Sequence, residues 1–402
     1  MGYLKGRGKR VCVLMGGPPG EREVSLESAR TVIEHLRHDF VIKPVQLVPD
    51  GGWVIPQGVI GDGLSADPGE WFQEPAVAAH SAIDKLLAAE IDVVFNALHG
   101  PLCEDGNIQG FFRWHGLPVT GPETIAAAVT MDKRLTKEVL RANAIRTPEY
   151  FTIYAPVGRA DSIDWVDMAR REATRMSLPW VLKPNRLGSS VGVSIVRSEQ
   201  DFAQVAPAVV AAWPTSARTD DLLVECAVEG RELSCGVLQL EDKIQVLPPV
   251  EIRPLHSSFF DYRAKYTPGA CDELCPAPIS ATETEAVQKV AAGVHKLFAA
   301  APLSRTDLFL SPDGDLTVLE VNTLPGMTST SLVPQSALEA GIDLADLFGG
   351  LIDHALRRAA MTLAVSSDKA PQSATNGRGG STPPDPTRRK PGCKKTAPSL
   401  TQ

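Results

Sequence analysis

The residues most able to do chemistry lie within residues 305–328, where two alternating apolar and polar stretches flank a Pro-Asp-Gly turn. Alternation with a period of two predicts strands, and the turn joins them as a hairpin. With a loop of two or four residues, odd-numbered residues of one strand face even-numbered residues of the other. Arg305, Asp307, Glu320 and Asn322 then share one face, whereas a three-residue loop without a bulge would break this arrangement.

Asp307 and Glu320 would lie across from each other, with their Cβ atoms about 5–8 Å apart. Two carboxylates that close repel each other unless a cation lies between them. With the amide of Asn322 they form a set of hard oxygen ligands that suits Mg²⁺ and leaves room for phosphate oxygens. The alternative is an ion pair from Arg305 to one acid on a solvated sheet face. The abrupt polar turn at residues 322–326 favours a functional site.

Residues 183–192 form a second candidate element, with the sequence KPNRLGSSVG. Small consecutive residues expose backbone N–H groups that can wrap polyphosphate oxygens, and Lys183 adds a point charge. The stretch is not a Walker loop, because the Gly-Lys-Ser/Thr ending is missing. Alone it would indicate a flexible surface turn, but together with the acidic hairpin it favours a nucleotide site. A third stretch, which contains Lys265 and Tyr266, either folds over that site or is a surface loop.

The elements that must position these groups begin with alternating strands and helices. An apolar strand at residues 11–15 precedes a helical pattern that extends to Leu36, and a second buried strand ends at His99. This order predicts a doubly wound parallel sheet with functional groups at the carboxyl ends of its strands. Ser25 is the expected cap of the first helix, and Glu21 lies near its positive end. Taken singly, Glu21 and His99 are also explained as an ordinary helix-end acid and strand-end histidine.

Composition shifts predict four segments: residues 1–121, 122–218, 219–361 and 362–402. The last is rich in Ser, Thr, Pro, Gly, Lys and Arg, with almost no large apolar residue. Such a segment cannot bury enough apolar surface to offset the entropy of ordering, so we expect a disordered basic tail.

The overall composition limits the class of protein. A chain of 402 residues is too long for one ordinary core. Its formal net charge of −8 argues against nucleic-acid binding, which normally requires a basic face. No apolar run approaches the roughly 20 residues of a membrane helix. The seven scattered cysteines are typical of reduced thiols, and Cys271 and Cys275 lack partners for a zinc set. We therefore expect a cytoplasmic protein without nucleic-acid or membrane partners.

From Arg10 to about Leu356 the sequence resembles the D-alanine–D-alanine ligases of the ATP-grasp superfamily. The matching strings are GGPPGEREVSL (residues 16–26), ALHGPLCEDG (97–106), MDK (131–133), KPNRLGSSVG (183–192) and EVNTLPGMTSTSL (320–332). Several long motifs in the same order make the resemblance specific. It implies an α/β fold with an N-terminal Rossmann-like substrate domain (1–121). A two-domain ATP-grasp part of α+β type follows (122–218 and 219–361). It also implies a homodimer.

The same resemblance implies roles for the residues of an ATP site between the second and third domains. The phosphates would be bound by Lys133, Lys183 and Lys265, and Ser190 would belong to the loop that closes over ATP. Adenine would meet Glu225 and the backbone of Cys226 and Val228, and the ribose would meet Glu232. Asp307, Glu320 and Asn322 correspond to the ligands of Mg²⁺ or Mn²⁺, with two ions implied.

For the substrates, the resemblance puts Glu21 near the ammonium of the first D-alanine and His99 near its carboxylate. Ser189 and Tyr266 would complete a hydrogen-bonded trio with Glu21 that holds the loop closed. Ser331 and Arg305 would face the second D-alanine. The first carboxylate would attack the γ-phosphate to give an acyl phosphate. Arg305 and the Gly326 N–H would then stabilise the oxyanion formed by amine attack.

The sequence leaves four alternatives to be weighed. A D-alanine–D-lactate ligase has the same fold, but that branch typically has histidine at the position of Tyr266. A D-serine acceptor is less strongly excluded. A nucleotide-binding module without activity predicts loss of Lys183, Arg305, Asp307 or Glu320, all of which are present. A general carboxylate–amine ligase does not explain the motifs around Glu21 and His99.

Overall fold

The computed structural model describes residues 8–65, 67–154, 163–188, 192–211, 221–241, 243–254 and 271–367. Contacts divide the chain into a unit of residues 1–362, which holds the sheets of the described residues, and a unit of residues 363–402, of which only the end of the last helix is described. The three predicted domain boundaries stay predictions. Within the described residues, every helix is too short or too polar to cross a membrane.

The N-terminal part is built on a four-stranded sheet of order β3-β2-β1-β6. Strand β1 pairs in parallel with both β2 and β6, while β3 is antiparallel. Alternate residues of β1 enter two different cores, Val11 and Val13 on one face, Cys12 and Leu14 on the other. A sheet covered on both faces explains why β1 is continuously apolar. The elements are β1 (Arg10–Gly16), α1 (Arg22–Leu36), β2 (Val41–Leu47), β3 (Trp53–Val54), β4 (Val59–Ile60), β5 (Gly63–Leu64), α2 (Ala79–Ala88), β6 (Val93–Asn96) and α3 (Asn107–Trp114).

The second sheet is antiparallel, with strand order β7-β10-β8-β9. Trp180 of the sheet and Phe202 of a covering helix meet edge to face in its core. The elements are α4 (Thr124–Met131), α5 (Lys133–Ala142), β7 (Tyr150–Tyr154), α6 (Trp165–Ala173), β8 (Trp180–Pro184), β9 (Ser194–Val196), α7 (Glu199–Ala211) and β10 (Asp221–Cys226).

The third sheet has the order β14-β13-β11-β15-β16, with β12 paired to β11. One face is apolar, since Leu233, Val237 and Leu308 pack with Val287 and Val294 of helix α8. The opposite face carries the polar residues predicted to be functional. The elements are β11 (Arg231–Leu240), β12 (Lys243–Val246), β13 (Val250–Pro254), β14 (Cys271–Leu274), α8 (Ala281–Leu297), β15 (Leu303–Leu310), β16 (Leu316–Asn322), α9 (Leu332–Glu339) and α10 (Leu344–Ser367).

The β15–β16 hairpin reaches the predicted arrangement by a different route. Five residues, 311–315, separate the paired Leu310 and Leu316. This odd number would have put the acids out of register. A bulge restores the pairing, because Leu308 faces Val318 while Asp307 faces Glu320, which leaves one extra residue on β16. The loop is longer than the two or four residues assumed from the sequence, but the shared face exists.

Candidate active site

The polar face of the hairpin gathers two acids and an arginine. Asp307 is paired directly with Glu320, and Arg305 with Asn322. Arg305 donates from Nε and Nη2 to the two carboxylate oxygens of Asp307, at 2.9 and 2.7 Å. The hydroxyl of Ser234, on the neighbouring strand β11, donates to Asp307 Oδ1 at 2.7 Å. The ion pair that the sequence left open as an alternative is therefore present, on the same face as the clustered oxygen donors.

The donor chemistry of this face fits a hard divalent cation. Asp307 and Glu320 offer carboxylates, and Asn322 offers an amide oxygen, which already accepts a hydrogen bond from the Leu324 N–H at 2.9 Å. No group of three His, Cys, Asp or Glu side chains suited to a metal occurs in the described part of the chain. A metal at this face therefore depends on Asn322 as the third protein ligand, a set compatible with Mg²⁺.

Lys133 connects the acidic face, formed by Asp307 and Glu320, to the first part of residues 183–192, which we call the glycine- and serine-rich segment. Its Nζ lies 3.5 Å from Glu320 Oε2 and donates to the Leu187 carbonyl at 2.7 Å. The neighbouring Asp132 caps α5 by accepting from the Leu135 N–H, at 2.9 Å. The same carboxylate accepts from Asn185 Nδ2 and Arg186 Nε, each at 2.9 Å. Asp132 therefore holds the start of α5, which carries Lys133, against Asn185 and Arg186 of the segment.

The sequence predictions did not single out Asp132 as a functional residue. Burial would raise the pKa of its carboxyl, but hydrogen bonds from Leu135, Asn185 and Arg186, with the Arg186 charge, hold that pKa below its ordinary value. In the sequence, Asp132 is an aspartate directly before a helix. Such a residue predicts a helix cap and gives no indication of a contact with a distant segment.

A buried trio of charges lies beside this segment. Glu225 of β10 contacts Lys137 Nζ through one oxygen and Lys183 Nζ through the other, each at 2.5 Å. Lys137 is fully buried and also donates to Thr147 Oγ1 at 2.9 Å. Two cations around one anion leave an excess positive charge, which suits a polyphosphate ligand.

The trio shifts the pKa values of its lysines in opposite directions. Burial lowers the pKa of Lys137 to about 8, against the opposing charge of Glu225. Burial would also lower the pKa of Lys183, but the charges of Glu225 and Glu320 hold it above its ordinary value. Lys137 was not among the predicted site residues, although it lies one turn after Lys133 on the same helix.

The other predicted adenine and ribose residues lie at the end of β10 and on β11. Cys226 donates its backbone N–H to the Glu149 carbonyl at 2.9 Å and its thiol to the Ser177 carbonyl at 3.4 Å. Val228 is half-buried in the connection that follows. Glu232 pairs with Phe309, two positions from the Ser234–Asp307 pair, so it shares the polar face. The carboxylate of Glu225 is already engaged by the two lysines, and its contact with adenine stays a prediction.

At the N-terminal end of α1, Glu21 is held against two glycines. A Cβ added to Gly100 would lie 2.5 Å from Glu21 Oε2, and one added to Gly188 would lie 2.9 Å from Oε1. The carboxylate is thus enclosed between the loop after β6 and the glycine- and serine-rich segment. This contact places Glu21, which is predicted to bind the ammonium of the first D-alanine, beside the start of the segment that is predicted to close over ATP.

Ser25 does not cap α1, contrary to the expectation from the sequence. The helix begins at Arg22 with Glu21 as its N-cap residue. The Ser25 hydroxyl instead accepts from the Gly16 N–H at 2.9 Å and donates to the Ala97 carbonyl at 2.7 Å. It therefore joins the ends of β1 and β6, where a parallel sheet presents its functional groups.

His99 lies in a buried position close to Glu21. Its Nδ1 lies 3.0 Å from Glu104 Oε1, and its Nε2 lies 3.3 Å from the Ser28 hydroxyl. Burial would lower the pKa of His99, but the hydrogen bond and charge of Glu104 and the charge of Glu21 hold it above its ordinary value. Ser28 also accepts from the Met327 N–H at 3.1 Å, which ties His99 to the turn after β16.

That turn contains Ser331, which is predicted to face the second D-alanine, and Gly326, whose N–H is predicted to stabilise the oxyanion. The Ser331 hydroxyl lies 2.8 Å from Thr328 Oγ1 and accepts from the Thr328 N–H at 3.2 Å. A Cβ added to Gly326 would lie 2.9 Å from Ser331 Oγ, so the two positions are adjacent. Four other predicted residues, Ser189, Ser190, Lys265 and Tyr266, lie outside the described residues, and their roles stay predictions.

Comparison with known families identifies the family to which this chain belongs. The family described as D-ala D-ala ligase N-terminus matches residues 10–122, and the D-ala D-ala ligase C-terminus matches residues 139–353. The chain belongs to the D-alanine–D-alanine ligase family. A D-alanine–D-alanine ligase from Syntrophobacter fumaroxidans is 38% identical over 348 residues, which cover 86% of this chain and 97% of the relative.

Solved structures of this ligase family extend the likeness to the fold. A D-alanine–D-alanine ligase from Bacillus anthracis complexed with ATP matches with a TM-score of 0.66 and 28% identity, covering 88% of this chain and 99% of the other. The VanG D-Ala:D-Ser ligase from Enterococcus faecalis matches with a TM-score of 0.67 and 28% identity, over 87% and 100% of the two chains. The predicted mixed α/β fold of ATP-grasp type is confirmed.

Proposed function

We propose that this chain is an ATP-dependent ligase that joins two molecules of D-alanine into D-alanyl-D-alanine for peptidoglycan synthesis. Beyond the family match, one observation carries the proposal. The ammonium of Lys133 contacts Glu320 of the acidic face and the backbone of Leu187 at the root of the glycine- and serine-rich segment. A polyphosphate bound by that segment would lie beside the acids, as phosphoryl transfer requires.

The first chemical problem is the approach of a carboxylate to a phosphate, both negatively charged. Lys133 and Lys183, with Lys265 from the segment outside the described residues, are proposed to reduce this repulsion. Two ions of Mg²⁺ or Mn²⁺, held by Asp307, Glu320 and Asn322, would neutralise phosphate oxygens when bound. Cys226, Val228 and Glu232 are proposed to receive the nucleoside, with Glu225 beside them.

The two D-alanine molecules are proposed to bind on either side of this centre. Glu21 would accept the ammonium of the first, and His99, whose pKa is raised by Glu104 and Glu21, would attract its carboxylate when protonated. Ser331 would contact the second molecule. Ser189 and Tyr266 would complete the trio with Glu21, and Ser190 would close over the phosphates. Exclusion of water protects the reactive acyl phosphate from hydrolysis.

The proposed reaction has two steps, phosphoryl transfer and then amide formation. A carboxylate oxygen of the first D-alanine forms a bond to the γ-phosphorus, and the bond from that phosphorus to ADP breaks. The neutral amine of the second D-alanine attacks the acyl carbon, and inorganic phosphate leaves with the bridging oxygen and with the proton that the nitrogen loses. Arg305 and the Gly326 N–H are proposed to stabilise the oxyanion formed between these events.

A D-serine acceptor is the second candidate, supported by the structural likeness to a D-Ala:D-Ser ligase. A D-lactate acceptor is less favoured, since Tyr266 occupies the position that is typically histidine in that branch of the family. Assembly as a homodimer in the cytoplasm, without a nucleic-acid partner, is also proposed by resemblance to the family.

The proposal is tested by supplying the purified chain with ATP, Mg²⁺ and D-alanine. We expect one ADP and one phosphate for each dipeptide formed, with no ADP release when D-alanine is omitted. With D-alanine, D-serine and D-lactate present together, D-alanyl-D-alanine is the expected main product. Predominant formation of the D-lactate ester, or ADP release independent of D-alanine, would contradict the proposal.

Substituting Gly100 with alanine is expected to raise the KM for the first D-alanine about tenfold or more, since a Cβ within 3 Å of Glu21 displaces its carboxylate. Gly100 has a φ of +82°, so the substitution also strains the backbone. Gly116→Ala is the matched control, because its φ is +73° and a Cβ there meets nothing within 4 Å. Both variants should lose similar thermal stability. An equal KM for the two variants would contradict the role of Glu21.

The raised pKa of His99 predicts how the binding of the first D-alanine depends on pH. The imidazolium persists to higher pH than in an ordinary histidine, so the KM should be low in that range and rise as the pH increases through the raised pKa. Glu104→Gln removes a charge that favours the imidazolium, and should move the rise in KM to lower pH. Profiles of KM against pH for the two proteins check this. Superimposable profiles would exclude His99 as the controlling group.

A further inference from the structure

Gln335, one turn into α9, joins the edge strand β14 to the turn that carries Ser331. Its side-chain nitrogen Nε2 donates to Glu273 Oε2 at 2.7 Å and to the Thr330 carbonyl at 2.6 Å. Its backbone N–H donates to the Ser331 carbonyl at 3.0 Å. Both amide hydrogens of the side chain therefore have acceptors, and this one residue fixes two consecutive carbonyls of the turn.

Glu273 belongs to the same sheet face as the acidic centre. It pairs with Ile252 of β13, which pairs with Glu232 of β11, and residues paired directly across strands project to one side. Leu332, in the first turn of α9, packs against Ile252, as does Cys271 of β14. The start of α9 therefore lies over the β13–β14 part of this face, next to the turn predicted to receive the second amino acid.

The partner of Gln335 is not an ordinary exposed acid. Burial raises the pKa of Glu273, while the hydrogen bond from Gln335 and the charge of Arg305 oppose that shift. A partly buried carboxylate that loses its donor retains the cost of desolvation, so the two side chains depend on each other. Arg305 is close enough for its charge to interact with that of Glu273, and it is the residue proposed to stabilise the oxyanion.

We propose that Gln335 and Glu273 are positioning residues that set the geometry of the 328–331 turn, and through it the affinity and selectivity for the second amino acid. The inference rests on the proposed function, because Ser331 is the acceptor-side residue of that function. Ser331 itself is held by Thr328 within the same turn. Loss of the Gln335 amide frees the Thr330 carbonyl and allows the hydroxyl of Ser331 to shift relative to Gly326.

The test compares Gln335→Met, Glu273→Met and the double variant. Gln288→Met is the matched control: Gln288 is a half-buried glutamine on α8, on the opposite side of the sheet, whose amide donates to the Leu247 carbonyl at 3.2 Å. The KM for the second D-alanine, the KM for the first, the KM for ATP and the melting temperature are measured for each. The ratio of D-alanine to D-serine incorporated at the second position is measured in competition.

Each single variant is expected to raise the KM for the second D-alanine about tenfold, with the other two KM values unchanged. The double variant should be no worse than Gln335→Met, because that substitution already removes the hydrogen bond to Glu273 together with the one to the Thr330 carbonyl. The incorporation ratio should shift in all three. Gln288→Met should lower the melting temperature without altering these values. A purely structural role of the pair predicts the same outcome for Gln335→Met as for the control, and that result would overturn the proposal.

Glu273→Gln keeps the proposal testable if Gln335→Met does not fold. The glutamine retains an oxygen that can accept from Gln335, so its KM for the second D-alanine should stay near that of the wild type, whereas Glu273→Met should raise it. Equal values for these two variants would overturn the inference. Failure of the proposed function is a separate result, since the wild type itself would then form no dipeptide.

Discussion

Asp307→Asn is expected to lower the rate of dipeptide formation by about a thousandfold or more, because phosphoryl transfer depends almost entirely on charge stabilisation and positioning. The substitution keeps the size of the side chain and removes the charge that faces Glu320 and pairs with Arg305. Steady-state ADP release measures the loss of rate. Mn²⁺ binding to the nucleotide-free protein, followed by electron paramagnetic resonance, gives a second readout and should weaken in parallel.

Asp315→Asn is the matched control for this substitution. Asp315 lies in the loop of the same hairpin, and its side chain is 62% exposed and paired with Arg146. It should retain nearly full activity and unchanged Mn²⁺ binding. An Asp307→Asn protein that keeps a tenth of the wild-type rate would show that the acid face is a structural ion pair.

Arg305→Met is expected to lower kcat about 10²–10³-fold, the usual cost of losing one donor to a developing oxyanion. The KM for ATP should change little, because the loss is confined to the transition state. Arg305→Lys should recover only part of the rate, since a lysine does not reproduce the planar fork that donates to both oxygens of Asp307. Pre-steady-state measurement of dipeptide formation separates this step from product release.

Arg146→Met serves as the control, since Arg146 pairs with Asp315 at an exposed site and its loss should cost little. Equal kcat values for Arg305→Met and the wild type would remove Arg305 from the proposed chemistry. If Arg305→Met lowers kcat because the protein does not fold, its melting temperature will fall as well. The kcat of Arg305→Lys then tests the role of the guanidinium.

Periodicity predicted the parallel sheet of the N-terminal part and the shared face of the hairpin, whereas the ATP-grasp fold was implied by the resemblance to the ligase family. Alternation identified the two strands, and Gly and Pro located the turn. The loop has five residues instead of the assumed two or four, and the bulge that restores the pairing cannot be seen from alternation alone. Two compensating irregularities, an odd loop and an extra residue, preserved the outcome.

The residues that the sequence reasoning missed act through distant partners. Asp132 and Lys137 have ordinary local roles, a helix cap and a helix-face lysine. Their importance appears only when Asn185 and Glu225, more than fifty residues away, meet them. The contact of Glu21 with Gly100 and Gly188 is likewise set by how the loops fold, since no pattern of residue types encodes a Cβ-sized gap. The error over Ser25 had the same origin, because its hydroxyl bonds to a strand rather than to its own helix.

The central claim is that the carboxylate of one D-alanine is activated by direct transfer of the γ-phosphoryl group. The measurement that tests it most directly uses D-alanine labelled with ¹⁸O in its carboxyl group, with mass analysis of the phosphate released during dipeptide formation. One ¹⁸O atom should appear in each phosphate, because the bridging oxygen leaves with it. Unlabelled phosphate, or label recovered in AMP, would contradict the account.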